Sequence, residues 1–142
     1  MDKRLPPESV ISLMSKKLRS VYAVIRREMT ARGLEGLDIS HGDILFALFS
    51  GGSRPMNELS RKIDRDKSTV TSLVVKLERL GFVKKTADPA DKRSFLIELT
   101  DRGKKLETEF NNISEKALDS FWKGVPRNER TKFMEILGRI SS

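Results

Sequence analysis

The stretch from Met56 to Leu80, MNELSRKIDRDKSTVTSLVVKLERL, constrains this chain more than any other. Leu59 and Ile63 stand four residues apart, on one face of a short helix. Val70, Leu73, Val74, Leu77 and Leu80 then form the apolar stripe of a second helix, at the i, i+3, i+4 spacing of the helical repeat. Between the stripes lies a tight polar turn, Asp64-Arg65-Asp66-Lys67. Asp66 is placed to cap the second helix by accepting a bond from a free backbone N–H. Off the stripe, that helix opens with Lys67, Ser68, Thr69, Thr71 and Ser72 and carries Lys76 one turn later. Short hydroxyls and cations at a helix N-terminus suit the DNA major groove, where they reach base edges and phosphates. The pattern is a helix-turn-helix with its recognition helix. In an ordinary helical hairpin the same residues would be a solvated face.

The residues that follow separate these readings. Gly81 is a natural helix-closing position, and the period then changes: Phe82-Val83-Lys84-Lys85-Thr86 and Ser94-Phe95-Leu96-Ile97-Glu98-Leu99 are both strand-like. The segment between them, Ala87-Asp88-Pro89-Ala90-Asp91-Lys92-Arg93, is turn-forming. A helix-turn-helix followed at once by a hairpin with a basic tip is a winged helix. Its tip offers Lys92 and Arg93 to the DNA backbone or minor groove, with Asp91 close enough to brace an arginine by a charge-assisted bond.

Charge agrees with this placement. The net +8 of the 142 residues is concentrated: residues 61–105 hold 13 Lys/Arg against 7 Asp/Glu, residues 1–60 hold 9 against 7, and residues 106–142 hold 6 of each. A basic patch clustered on the winged helix is the footprint of a phosphate-backbone binder. A face kept basic for solubility accounts for the sign but not for the clustering.

Other chemistries are excluded by what is scarce. With no cysteine there is no disulfide, thiolate metal site or thiol redox switch. With one histidine, His41, a histidine-rich metal site is excluded, and a pairing of His41 with Asp43 is more often structural than metal-binding. No Ser-His-Asp grouping, P-loop or paired-carboxylate pattern calls for an enzyme or a cofactor. No apolar run is long enough to span a membrane, and MDKRLPPESV lacks a signal-peptide core, so the expected location is cytoplasmic.

At this length one domain is expected, mainly α with a small β-hairpin wing. Residues 1–8, with Pro6 and Pro7, read as a mobile lead-in. Val10, Met14, Leu18, Val21, Tyr22, Ile25 and Met29 mark a long amphipathic helix from Ser9 to about Arg32-Gly33. Ser40 reads as the N-cap of a second, nearly all-apolar helix, with Asp43 as its acidic partner, and Pro55 sits in the first turn of the next. Thr100 caps a long helix with the stripe Leu106, Phe110, Ile113, Ala117 and Phe121. A final helix runs from Arg127 to Ile140, and both terminal helices are expected to pack on the first.

Two motifs, DKSTVTSLVVKLERLGFVKK at 66–85 and DPADKRSFLIELTDRG at 88–103, in this order and spacing, resemble the MarR family of transcriptional regulators. The resemblance covers about residues 9–140. It implies a homodimer built from helices in 9–33 and 100–140, with a winged-helix lobe at 40–99, bound to double-stranded DNA at a pseudo-palindromic operator. It implies that Ser68, Thr69, Thr71 and Ser72 face bases or phosphates, that Lys67 and Lys76 face the backbone, and that Arg93 enters the minor groove braced by Asp91. Many members carry arginine where this chain has Ser72, so a strong guanine contact is absent here. Members of the family often respond to small aromatic or anionic ligands in a crevice between the dimer helices and the lobe. Tyr22, His41, Phe46 and Phe49 are the candidates for its walls, though each is also accounted for as a core residue. The expected function is a dimeric repressor relieved by a ligand. The alternative is a winged-helix protein that packages DNA regardless of sequence.

Overall fold

The computed structural model describes residues 5–141, and in it the chain is mainly helical with one small sheet. A 3-10 turn at Pro7–Ser9 leads into α1 (Val10–Ala31); α2 (Ile39–Gly51), β1 (Arg54–Pro55), α3 (Met56–Ile63) and α4 (Lys67–Arg79) follow. Then come β2 (Val83–Ala87), β3 (Phe95–Leu99), the short α5 (Asp101–Lys104), α6 (Leu106–Trp122) and α7 (Arg127–Arg139). The expected lead-in at 1–8 is thus partly a 3-10 turn, and its first four residues lie outside the described ones. No helix among the described residues is long and apolar enough to cross a membrane.

Helix ends explain most of the boundaries. At Gly33 (φ 72°) and Gly81 (φ 81°) the chain takes the left-handed conformation that closes a helix. Leu34 N–H then reaches back to Met29 O, and Phe82 N–H to Leu77 O, satisfying carbonyls the helix would leave bare. The turn between α3 and α4 uses the same device with Asp64 (φ 53°), an aspartate being one of the few side chains that tolerates it. Asp66 caps α4 by accepting from Thr69 N–H at 2.7 Å, as its position implied.

The start of α2 differs from the sequence expectation. Its N-cap is Asp38, not Ser40. Asp38 accepts from Ile39 N–H, while His41 Nδ1 accepts from Asp38 N–H at 2.9 Å, so the histidine fills the return position of a capping box. Asp43 is not part of the cap. The sheet also exceeds the expected hairpin. Arg54–Pro55, where Pro55 is expected in the first turn of a helix, pairs with Ile97 and Leu96 as a third strand, giving the antiparallel order β1-β3-β2. Proline is tolerated there because β1 is an edge.

One core runs through the winged-helix lobe and the strut formed by α1 and α6. Ile44, Leu45 and Leu48 of α2, Leu59 of α3, Val70, Val74 and Leu77 of α4, and Val83 and Ile97 of the sheet are buried in one cluster with Met29, Phe110 and Ile113. Burying a side chain of this size contributes about 1.5–3 kcal/mol, so α4 is held by its inner stripe rather than by its propensity. On the other side of that cluster α1 lies along α6, joined by Glu28, Arg32, Glu109 and Lys116. The Arg32 and Lys116 contacts hold the Glu28 carboxyl below its usual range.

The single helix expected after Thr100 is two segments, broken at Lys105. The short first one is clasped to the end of α4. Thr100 N–H donates to Phe82 O at 3.1 Å, its hydroxyl donates to Gly81 O at 2.6 Å, and the same oxygen accepts from Gly103 N–H. A Cβ on Gly103 would lie 2.0 Å from the Phe82 carbonyl oxygen, which only glycine allows. The final helix also departs from expectation. Where α6 packs on α1, α7 has no buried residue and leans on α6, with Phe133 against Phe121 and Trp122.

Gly103→Ala is therefore expected to destabilise the fold by at least the ~1–3 kcal/mol of an overpacked site, because a backbone carbonyl cannot step aside. Gly36→Ala, at a glycine with open space around its Cβ position, serves as the control. Urea unfolding of both variants reads the difference, and equal midpoints would remove the clasp from the account.

Candidate nucleic-acid interface

Helical geometry assigns the outward face of α4. At about 100° per residue, Val70, Val74 and Leu77 share the inward side, and the opposite side carries Ser68, Ser72, Val75 and Arg79, an i, i+4, i+7, i+11 stripe. All four are exposed, Val75 at 48%. Thr71 and Lys67 lie exposed along one flank; Thr69 and Lys76 are half-buried along the other. Sequence reasoning chose the first-turn hydroxyls and missed Val75 and Arg79. The signal that finds them is the complement of the buried stripe, carried to the end of the helix.

The first turn is organised around Asp66. Its carboxyl is held below the usual range, first by the Thr69 N–H and then by the Thr69 and Ser68 hydroxyls. Ser68 Oγ donates to Asp66 Oδ1 at 3.0 Å, Thr71 Oγ1 to Lys67 O at 2.8 Å, and Ser72 Oγ to Ser68 O at 3.2 Å. The candidate contact residues are thus folded back onto their own helix, with oxygen lone pairs facing out.

The wing tip is a compact turn. Asp88 accepts from Ala90 N–H and Asp91 from Arg93 N–H at 2.9 Å, while Ser94 N–H donates to Asp91 O. The expected charge-assisted bond between Asp91 and the Arg93 guanidinium is not formed; Asp91 instead accepts from the Arg93 backbone N–H. Lys92 and Arg93 are exposed beyond the sheet, with Phe95 at the start of β3 also exposed. Lys84, on β2, pairs with Glu98 across the ladder at 3.2 Å.

Lys76 occupies a different setting from the other cations. It lines a hollow of about 320 Å³ with Arg26, Met29 and Asp38, where α1, α2 and α4 meet. His41, buried behind, has its pKa lowered first by burial and then by the Lys76 charge. The Asp38 N–H bond to Nδ1 requires the neutral ring, with its proton on Nε2.

The four crevice candidates separate. An apolar cavity of about 210 Å³ opens between α1, α2 and α6, lined by Ile25, Met29, Phe46, Phe110, Ile113 and Phe121 among others. Of the four, only Phe46 lines it. Tyr22 lies under the Arg26 guanidinium, His41 is spent in the capping box, and Phe49 packs on Phe46 and faces an outer cleft beside Lys84 and Glu98. Asp43 stands at the cavity edge, its pKa raised by burial. No group of His, Asp or Glu among the described residues could hold a metal ion.

The arrangement matches known proteins. A sequence model of the MarR family matches residues 37–95. The HTH-type transcriptional regulator SarZ of Staphylococcus epidermidis is 27% identical over 131 residues, which span 89% of this chain and 87% of that protein. The crystal structure of MarR superposes with a TM-score of 0.75 at 25% identity, covering 92% of this chain and 93% of that one. A structure of BpsR from Bordetella bronchiseptica, described as explaining regulation of its DNA binding by 6-hydroxynicotinic acid, gives 0.82 at 22% identity, covering 94% and 99%.

The His41 cap carries a pH signature. Above the ordinary histidine value of 6.5 the ring is neutral in both folded and unfolded chains; below it the unfolded chain takes up a proton that the folded one resists. Stability is therefore lost as pH falls below that value. His41→Gln keeps a side chain able to complete the box. That variant should lose less stability than the parent between about pH 7.5 and 5.5, the window in which an imidazole takes up its proton, while every other group is common to both proteins. Identical pH slopes in urea unfolding would show that the cap does not titrate.

Proposed function

The chain belongs to the MarR family of winged helix-turn-helix transcriptional regulators, and from that premise we propose that it is a dimeric, sequence-specific repressor whose DNA binding is relieved by a small molecule. The observation that carries the DNA-binding half is the pairing, in one lobe, of the outward α4 stripe with a hydrogen-bonded wing turn bearing the exposed Lys92 and Arg93. In this reading residues 40–99 are the DNA-binding lobe. Ser68, Thr69, Thr71 and Ser72 meet bases or phosphates in the major groove, and Lys67 and Lys76 the phosphate backbone. The wing tip with Lys92 and Arg93 meets the backbone or minor groove, Arg93 entering the latter. Residues 9–33 and 100–140 dimerise.

Dimerisation is supported by apolar surface that the single chain leaves uncovered. Ile11, Met14 and Leu18 of α1, Leu118 of α6, and Ile136 and Leu137 of α7 are all exposed. A two-fold pairing of such a surface would place the two α4 helices in successive major grooves, about 34–36 Å apart, of a pseudo-palindromic operator. The cavity at Phe46 supports a ligand. Its walls carry no Lys or Arg and its edge carries Asp43, which favours an uncharged aromatic over an anionic ligand. A ligand there releases DNA only by binding one dimer conformation better than the other. Packaging without sequence preference is the second reading, favoured by the basic excess at 61–105 and by serine at position 72.

A titration against the DNA upstream of its own gene and a scrambled duplex, at near-physiological salt, separates the two readings. A regulator should prefer its operator by at least ~10³, whereas equal affinity for both duplexes and for selected fragments would mean packaging. On the operator, Arg93→Ala should weaken binding clearly, and Lys76→Ala should weaken it alike on every sequence. Unchanged affinity of Arg93→Ala at matched salt would remove the wing from the mechanism. Ile136→Asp, at an exposed position of α7, should give monomers by light scattering; a dimer would move the interface elsewhere.

A further inference from the structure

The outward face of α4 has a polarity that its residue types alone do not reveal. The Ser68, Thr71 and Ser72 hydroxyls each lie within hydrogen-bond distance of an oxygen that can only accept: the Asp66 carboxylate, the Lys67 carbonyl and the Ser68 carbonyl. The hydroxyl must therefore be the donor in each, and its single proton is committed inward. What faces outward at Ser68 and Ser72 is lone pairs. One turn beyond Ser72 on the same stripe, Val75 presents two methyl groups, 48% exposed between polar neighbours.

Resting on the sequence-specific reading above, we propose that this stripe selects A·T pairs at the centre of each half-site, with Ser72 accepting from an adenine amino group and Val75 packing on a thymine methyl. The major-groove edges decide it. Adenine N6 and cytosine N4 offer donors that an outward lone pair can accept, whereas guanine N7 and O6 and thymine O4 are acceptors and would oppose it. A hydroxyl could meet guanine only by giving up its bond to the helix carbonyl. Of the two pairs with a suitable donor, only A·T also carries a methyl group in this groove, and Val75 gives that methyl an apolar surface. Arginine at position 72 would have donors only; serine, held as it is here, inverts the preference. Val75 is thus a specificity-determining residue for this operator.

The test removes only the methyl. Operator duplexes are first selected from a random-sequence library with the full-length protein. Each thymine of the selected half-site is then replaced in turn by deoxyuridine, which leaves base pairing and every hydrogen-bonding group in place. At one position the replacement should weaken binding by about fourfold per half-site, the ratio expected for one buried methyl-sized group. Val75→Ala should bind the parent duplex more weakly and be indifferent to that same replacement. Full uridine tolerance at every position, by a protein that still prefers its operator to scrambled DNA, would overturn this assignment and leave the regulator reading standing. Continued sensitivity in Val75→Ala would assign the methyl to another group and overturn the role of Val75. Selection that enriches no sequence would overturn both readings. Enrichment of a G·C pair in place of that A·T pair would overturn the adenine contact of Ser72.

Discussion

The clasp between Phe82 and Thr100–Gly103 is the join on which the rest of the molecule depends. The Phe82 carbonyl accepts from Thr100 N–H and lies against the bare Cα of Gly103, and the Thr100 hydroxyl ties Gly81 to the start of α5. The Arg102 guanidinium covers the Phe82 ring, 4.9 Å from its centroid. These contacts fix the residue that leaves α4 to the residue that enters the C-terminal helices. The angle between the recognition helix and the α1–α6 strut is therefore set by backbone atoms, which have little room to adjust. In a dimeric regulator that angle decides whether two recognition helices can reach two half-sites together.

A second join lies at the other end of the lobe. Asp38 and His41 close the start of α2, Arg26 of α1 reaches Asp38 at 3.3 Å, and Lys76 of α4 stands against the same hollow. The apolar cavity at Phe46 lies between α1, α2 and α6, the elements these two joins hold together. A molecule filling it would act on the strut and the lobe at once. The cavity and the two joins are thus parts of one arrangement, which links α1, α2, α4 and α6.

The recognition face shows why residue type is an incomplete guide to contact. Serine and threonine both donate and accept in solution, and the motif alone leaves that choice open. Inside the helix each hydroxyl has a carbonyl or carboxylate acceptor within reach, and the bond to it selects the outward polarity. Val75 and Arg79 join the outward face for a related reason: the stripe runs the full length of α4 and is defined by the buried face on its far side, not by the N-terminal turn alone.

Much of this protein was determined by the sequence itself. The helix-turn-helix, the wing, the capping by Asp66 and Thr100, the closing glycines and the location of the basic patch all follow from local rules: period, cap chemistry and φ preference act within a few residues of the side chain concerned. The tertiary structure decided what depends on partners distant in sequence. β1 exists because Arg54 and Pro55 find Ile97 and Leu96 more than forty residues on. His41 became a cap through Asp38 and was thereby withdrawn from the cavity, where only Phe46 of the four expected wall residues remains. The break at Lys105 and the uncovered face of α7 follow from which surfaces the rest of the fold reaches: the sheet holds the first turn, α1 holds α6, and nothing within one chain buries any residue of α7. Periodicity marks an apolar face but carries no information about what covers it, because that depends on the whole arrangement of elements.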